Sequence, residues 1–531
     1  MDPTPRTNAI MNSILYVWLP CKKVYPIGPA TLADYVHRRH CDIRQRLLDL
    51  SVVPQSDCAR VLRDEVQEVR PDLVCFSWRD IQIYSPHEGD DSLEYAFRFF
   101  YARNPIKRII ASLKGLKFVY TYYRGIQSNL SLFWMLNREF PEIRMMIGGG
   151  AFSAFSDQLI EKLPEGVIGV LGEGEDAVLK MVEGKPLDET SGERVIFRRG
   201  KQIIKGKKPI PTTIQGASMD VSYISSIFPQ RNFYQGALAT IGVQTKRGCP
   251  YDCQFCLYPY LEGRRVRYRP AEEVVGEISK YYHQWGVRRF WFTDSQFITG
   301  HEAYPQCIDI LERIIAEKLD IEWSGYIRTS LISKDLAHLM VRSGVGDLEV
   351  AITSGSQTVI NGLKMGFRLD SLYQGCGYLK EAGYKGKIIL NFSLNSPGET
   401  EQTLLESVKG YKTIVEILGE EQVYPMLFFL GIQPNTGLEQ RLLEEGYLSQ
   451  GYNPLHLTPQ NIKKLLYNPA PLNKVIARAC LGAWDTTRSR QSQPTAMHYA
   501  DSNLSKGLEA KSGRDVLLTL GEILHSRRTE H

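Results

Sequence analysis

Two series of short apolar runs, each run followed by an amphipathic stretch, occupy most of the 531-residue chain. In the first series the apolar runs fall at 14–19, 46–50, 72–78, 144–147 and 167–171. A 3.6-residue period marks helices between them at 30–39, 58–69, 130–140 and 156–163. Runs that are apolar throughout and end in Gly, Pro or polar residues predict buried parallel strands, with helices on both faces of the sheet. The aromatic-rich insertion 81–127 has no period that assigns it. The alternation stops around 190–236, where SGERVIFRRGKQIIKGKKPIPTT predicts a short hairpin and a basic, Pro-containing linker. A second series then predicts strands at 239–244, 289–293, 322–327, 348–353, 387–394 and 425–432. Its helices are predicted at 271–285, 304–318, 334–342, 371–381, 400–417 and 438–445. Six βα units are too few to close an eight-stranded barrel and predict an open, partial one. Residues 450–485 read as helical or irregular, 486–511 as a poorly ordered polar tail, and 515–524 as a short amphipathic helix.

The expected fold class is therefore α/β. A Rossmann-like parallel-sheet domain spans 1–190, a linker 191–235, a partial six-unit barrel 236–449, a small helical region 450–485 and a largely disordered tail 486–531.

Composition narrows the function classes. The net charge of +5 is too weak a bias to imply a nucleic-acid partner. No apolar run approaches the ~20 residues of a membrane span, and MDPTPRTNAIMNSILYVWLP lacks the basic start of a signal peptide. Of ten cysteines, seven are scattered singly, such as Cys75 in DLVCFSW. They read as small hydrophobes rather than a disulfide framework, and the expected location is the reducing cytoplasm.

The other three cysteines stand together in TKRGCPYDCQFC, residues 245–256. Cys249, Cys253 and Cys256 have C-x3-C-x2-C spacing on the loop after the first strand of the second series. That end of a parallel α/β fold carries the chemistry. Three thiolates can hold three irons of a cubane, leaving the fourth open to a small chelating molecule. Gly248 and Pro250 suit a tight loop, and Phe255 and Leu257 would exclude water. Structural zinc needs a fourth ligand, and the closest downstream candidates are only His283 and Cys307.

This triplet after the first strand of a partial barrel resembles the radical S-adenosylmethionine (SAM) superfamily over roughly residues 236–447. The resemblance implies a [4Fe–4S] cluster whose open iron is chelated by SAM. It also implies an external electron donor such as a flavodoxin or ferredoxin, and cleavage of SAM to methionine and a 5′-deoxyadenosyl radical. By the same resemblance Asp294 in FTDSQF lies by the SAM amino group, and Arg328 in WSGYIR is a carboxylate clamp. Ser354 lies in ITSGSQ, which is similar to the family's ESGS-type segment, with Thr353 where Glu is usual. NSPGET (395–400) resembles the GxPGET segment but departs at Asn395 and Ser396. QPNTGLEQ (433–440) is similar to the PGT-type segment, with Asn435 in place of Gly.

Upstream stand YPIGPATLADYV (25–36), IGGGAFS (147–153) and LGEGEDAVL (171–179). Glycine after a strand lets the backbone approach a ligand closely. In this order, before the triplet, these segments resemble the cobalamin-binding domain of cobalamin-dependent radical SAM enzymes. The resemblance implies cobalamin, with Gly148, Gly149, Gly150, Gly172 and Glu173 near the corrin or its nucleotide tail and Trp78, Arg79 and Tyr84 facing it. No D-x-H-x-x-G stands after the first strand, where WLPCKKVYPIG is found, so no His ligand to cobalt is expected. The leading expectation is a methyltransferase that moves a methyl group from SAM through methylcobalamin to an unactivated carbon of a small molecule. The second is radical ring formation or oxidation without methyl transfer, as in the anaerobic Mg-protoporphyrin monomethyl ester cyclase. The third is a corrinoid- or SAM-sensing regulator without turnover. The residues do not name the substrate.

Overall fold

A computed structural model describes residues 11–21, 23–80, 92–207, 210, 211, 214, 218–490 and 513–529. The chain forms two compact units. One comprises Met1–Ile83, Tyr123–Gly248 and Tyr258–Phe290, and the other Tyr84–Tyr122, Cys249–Leu257 and Trp291–His531.

The first unit is built on a seven-stranded sheet: β1 (Ser13–Trp18), β2 (Arg44–Asp49), β3 (Leu73–Ser77), β4 (Arg144–Gly148), β5 (Ile168–Val170), β6 (Val195–Arg199) and β7 (Gln202–Lys205). Their order is β2-β1-β3-β4-β5-β6-β7. The first five pair in parallel, and β6 and β7 are antiparallel. Every residue of β1 is buried, as a run that is apolar throughout requires. Strand order reverses at β1, which pairs with both β2 and β3, and ligands of such sheets bind outside the strand C-termini at this switch point. The hairpin expected at the start of a linker is instead an integral part of the sheet. Val195 and Ile196 bury against β5 and so protect an edge that would otherwise expose its backbone.

The second sheet contains β8 (Thr240–Val243), β11 (Arg289–Phe292), β12 (Glu322–Tyr326), β13 (Val345–Thr353), β14 (Ile388–Ser393) and β15 (Val423–Phe428). Its order, β15-β14-β13-β12-β11-β8, follows the sequence and leaves the sheet open. The pairs β12/β13, β13/β14 and β14/β15 are parallel. A two-stranded antiparallel ribbon, β9 (Lys246–Arg247) with β10 (Arg267–Tyr268), belongs to the first unit.

Two regions differ from the expectation. The insertion is helical, with Ser92–Tyr101 followed by the 35-residue helix Pro105–Glu139, of which the helix expected at 130–140 is only the end. Part of the tail expected to be largely disordered is a helix, Gly513–Thr529. It buries Val516, Leu517, Leu520 and Leu524 against the helices Leu472–Arg490 and Glu401–Leu418 and against β15. The 515–524 period is the packed stripe of this longer helix. Tyr84 lies outside the described residues.

Candidate active site

The triplet loop is held by backbone hydrogen bonds within its unit. Gln254 donates its N–H to the Leu363 carbonyl at 3.0 Å and accepts from Leu438 at 2.7 Å. The Cys256 N–H bonds the Cys253 carbonyl at 3.1 Å and tightens the turn. Cys249 is buried, and Cys253 and Cys256 are half-buried. Gly248, just before the triplet, has φ 98°, and a Cβ there would lie 2.3 Å from the Arg265 carbonyl oxygen. Only glycine fits. Among the described residues no three His, Cys, Asp or Glu side chains converge on a single-ion site. A cubane makes a different demand, one thiolate for each of three irons, and three thiols carried by one loop suit it.

The C-terminal ends of the strands in the second unit bring the other sequence-chosen residues to the same edge. Arg328, just after β12, stacks 3.4 Å over the Tyr251 ring and 5.5 Å from that of Phe367. Its Nη2 donates to Cys253 Sγ at 3.6 Å, and its Nη1 is buried without a partner. Asp294, after β11, is buried. Ser354, after β13, is fully buried and lies 3.1 Å from Ser407 Oγ and 3.3 Å from Glu399 Oε1.

Three non-glycine residues adopt left-handed backbone at these ends: Thr353 (φ 62°), Asn395 (φ 56°) and Asn435 (φ 67°). All three are positions where the sequence departs from the family segments. Asn tolerates this region better than other side chains, so Asn435 keeps the backbone path of the glycine it replaces. Thr353 is β-branched and strained there by about 1–3 kcal/mol, the kind of strain that collects at functional sites.

Among the buried polar atoms of this unit without a partner, six lie on the triplet loop or at the strand ends: Gln254 Oε1, Gln296 Oε1, Arg328 Nη1, Thr353 Oγ1, Ser356 Oγ and Gln433 Oε1. One is on the triplet loop and the others follow β11, β12, β13 and β15. Each unpaired buried polar group costs about 1–3 kcal/mol, and native structures keep few. A set of both donors and acceptors at one sheet end fits a polar ligand such as SAM. No motif singled out Gln254, Gln296, Ser356 or Gln433, because only the fold shows that these atoms are buried and unpaired.

Glu399 was visible in the sequence only as part of a motif. Burial pushes its carboxyl up to about 8, outweighing hydrogen bonds from the Ser396 N–H (3.1 Å) and Ser354. Its folded-state value lies above the unfolded one, so its contribution to stability is complete below about pH 4.3 and is lost as pH rises through about 8. Glu399→Gln should flatten the fall in stability between about pH 4.3 and 8, measured by denaturant melts. An unchanged pH slope would contradict the neutral carboxyl.

In the first unit, the glycines after β4 serve the fold directly. The Trp78 N–H bonds the Gly148 carbonyl at 2.9 Å, and the Ala151 N–H bonds the Trp78 carbonyl at 3.0 Å. Gly149 has φ 96°, and a Cβ on it would lie 2.5 Å from the Trp78 carbonyl oxygen. Gly150 starts a short helix, and Gly172, after β5, has φ 79° with the Leu261 carbonyl 2.7 Å from where a Cβ would stand. Arg79 is exposed. Glu173, expected near the corrin, has both carboxylate oxygens engaged. Oε1 accepts from Arg267 at 2.5 Å, and Oε2 accepts from Arg267 at 2.9 Å and Arg247 at 2.8 Å. Arg247 also pairs with Glu175 at 2.6 Å. Burial opposes ionisation of Glu173, but the two arginines outweigh it and hold the carboxyl below its usual range. These arginines sit on β9 and β10, and no sequence spacing ties them to GEGE.

Residues 243–409 match the model of the radical SAM superfamily. An uncharacterized methyltransferase of Pyrococcus horikoshii is 28% identical over 174 residues, which are 32% of this chain and 36% of that one. The anaerobic magnesium-protoporphyrin IX monomethyl ester cyclase of Synechocystis is 27% identical over 253 residues, 46% of this chain and 48% of that one. The chain thus spans less than half the length of these relatives. Among solved structures, the radical SAM methyltransferase TsrM from Kitasatospora setae superposes with TM-score 0.64 at 17% identity, covering 98% of this chain and 99% of that one. The cobalamin-dependent radical enzyme OxsB superposes with TM-score 0.64 at 13% identity, covering 98% of this chain and 80% of that one. Among the described residues no helix is long and apolar enough to cross a membrane. With the triplet, the strand-end residues and the sheet order on one chain, residues 243–409 constitute a radical SAM domain, set in a chain with the fold of cobalamin-dependent radical SAM enzymes.

Proposed function

We propose that the protein is a cobalamin-dependent radical SAM methyltransferase acting on an unactivated carbon of a small molecule. The observation that carries this reading is the meeting, at one sheet end, of a three-thiol loop, the unpaired Arg328 Nη1 and further unsatisfied buried polar atoms. Cys249, Cys253 and Cys256 would hold the [4Fe–4S] cluster. When bound, the cluster supplies the electron that cleaves SAM, and cobalamin supplies a transferable methyl group.

The chain's own residues bind and orient. Arg328, fixed flat by Tyr251, offers Nη1 to the SAM carboxylate, and Asp294 faces the amino group. Ser354 braces Glu399 and the end of β13. Gly148, Gly149, Gly150 and Gly172, at the ends of β4 and β5, form the low rim over which a corrin would lie. Glu173 supports that rim through its arginines. The proposed domains are cobalamin-binding over 1–190, linker over 191–235, radical SAM over 236–449, helical over 450–485, and the tail from 486. The proposed setting is the cytoplasm, with a flavodoxin or ferredoxin as electron donor and no nucleic-acid partner. The match to the Synechocystis cyclase, longer than that to the methyltransferase of Pyrococcus, favours ring formation or oxidation as the second reading.

The deciding experiment is anaerobic reconstitution with iron, sulfide and cobalamin, then incubation with SAM, a reductant and candidate extracts. Methyl transfer predicts 5′-deoxyadenosine, S-adenosylhomocysteine and a product heavier by one methylene. Deoxyadenosine without the other two supports the cyclase class, and SAM binding without any turnover supports a sensor.

Arg328→Lys tests the clamp in isolation. Losing a charge-assisted contact from Nη1 worth about 1.5–3 kcal/mol should raise KM for SAM about 10–100-fold. The cluster absorbance should persist. An unchanged KM would rule out the clamp.

A further inference from the structure

The long helix of the insertion carries apolar side chains on two faces. On one face Ile106, Ile109, Ile110, Leu113, Leu116 and Tyr120 are 50–67% exposed. Their spacing follows one stripe of a helix, about 20 Å long at 1.5 Å per residue. Single exposed apolar residues are ordinary, but a continuous stripe of six marks an interaction surface.

Charge identifies its occupant. Between Glu94 and Glu139 the chain has eight Lys and Arg residues and no Asp or Glu. Lys107 and Arg98 reach Asp485 at 3.3 and 2.8 Å, and Arg98 also pairs with Glu94. Lys114 and Lys117 are exposed beside the stripe. A second copy laid along this helix would set cation against cation, where helix pairs place opposite charges. An anionic lipid surface meets both features, with an apolar stripe for the acyl boundary and lysines and arginines for the headgroups.

The same helix also lines a cavity of about 130 Å³ with Phe118, Val119 and Tyr122 and, at the edge of the stripe, Leu116, facing Tyr95, Phe100 and Phe429. Phe429 directly follows β15. Asn468, also on the wall, accepts a 2.7 Å bond from Asn395, the residue at the end of β14. The cavity thus reaches the strand ends that carry the candidate site.

We propose that the 106–120 face of this helix docks the protein on an anionic membrane surface. The cavity behind it would then take the apolar part of a substrate drawn from the bilayer, a use that rests on the enzymatic reading above. The test is co-sedimentation of the full reconstituted chain with phosphatidylglycerol–phosphatidylcholine vesicles and with pure phosphatidylcholine vesicles. Binding should be about tenfold stronger to the anionic vesicles and should fall with salt. Ile109→Glu with Leu113→Glu should weaken it by at least about tenfold, leaving the cluster spectrum and deoxyadenosine formation intact. Absence of binding by the unaltered chain, or equal binding by the variant, overturns the proposal. A dimer in sedimentation that the variant dissolves also overturns it, in favour of a second copy. The deoxyadenosine readout separates any of these failures from failure of the enzymatic reading.

Discussion

Replacing Cys249, Cys253 and Cys256 together by alanine is expected to abolish the cubane absorbance of anaerobically reconstituted protein and to reduce 5′-deoxyadenosine to background. The loss should be all-or-none, because among the described residues no group of three His, Cys, Asp or Glu side chains is placed to hold a metal ion in their stead. Unfolding is not the expected cause. The loop's path is set by backbone bonds from Gln254 to Leu363 and Leu438 and by the left-handed Gly248, none of which involves a thiol. Cys253 and Cys256 are half-buried, so their truncation should cost no more than about 1 kcal/mol each. The single variant Cys253→Ala should be nearly as severe in activity. It removes a ligand and also leaves Arg328 Nη2 without its sulfur partner. Thermal melts of the metal-free proteins should overlay within a few degrees. A cubane spectrum that survives the triple replacement would refute the site.

The parts legible in the sequence were those written in local patterns. Strands buried on both faces must be apolar throughout, so β1, β3 and β4 could be read directly, as could the β14 run. Three cysteines at fixed spacing are discrete marks that no packing alters. Periodicity failed at the helix Pro105–Glu139 because Ile109 and Leu113 face outward while Phe118 and Tyr122 line a cavity, and two apolar faces cancel the signal. The asparagines at 395 and 435 looked like departures from a motif, yet their backbone does what glycine does. Their equivalence lies in φ and not in side-chain chemistry. At glycines 149 and 172 the sequence marks positions where backbone comes close, and the structure gives each a close neighbour within the chain. Each close approach is made by this chain's own backbone, from Trp78 and Leu261.

Glu173→Gln is expected to destabilise the protein by about 3–5 kcal/mol, the cost of removing one partner from a buried ion cluster. The side chains of Arg267 and Arg247 are only 2% and 11% exposed. Arg247 would keep Glu175, and Arg267 would keep the Glu262 carbonyl but lose its carboxylate partner Glu173. Against a total stability of about 5–15 kcal/mol, such a loss should be plain in urea melts. The acid side gives an independent check. A carboxyl held below its unfolded value contributes stability that is present above that value, about 4.3, and is lost as pH falls through the folded one. The parent protein should therefore lose stability below about pH 4 more steeply than Glu173→Gln. Adding Arg267→Met should recover part of the loss, since a buried charge left alone costs more than an apolar side chain of similar size. The same variant separates two roles for the GEGE turn. If Glu173 works by bracing β9 and β10, the variant is destabilised with or without added cobalamin, and the double variant recovers. If its carboxylate instead touches the corrin nucleotide, stability of the cofactor-free protein is unchanged and only cobalamin retention falls. The three charge-assisted bonds to Arg267 and Arg247 favour the first outcome, because a carboxylate with both oxygens so engaged would have to break strong pairs to reach a ligand.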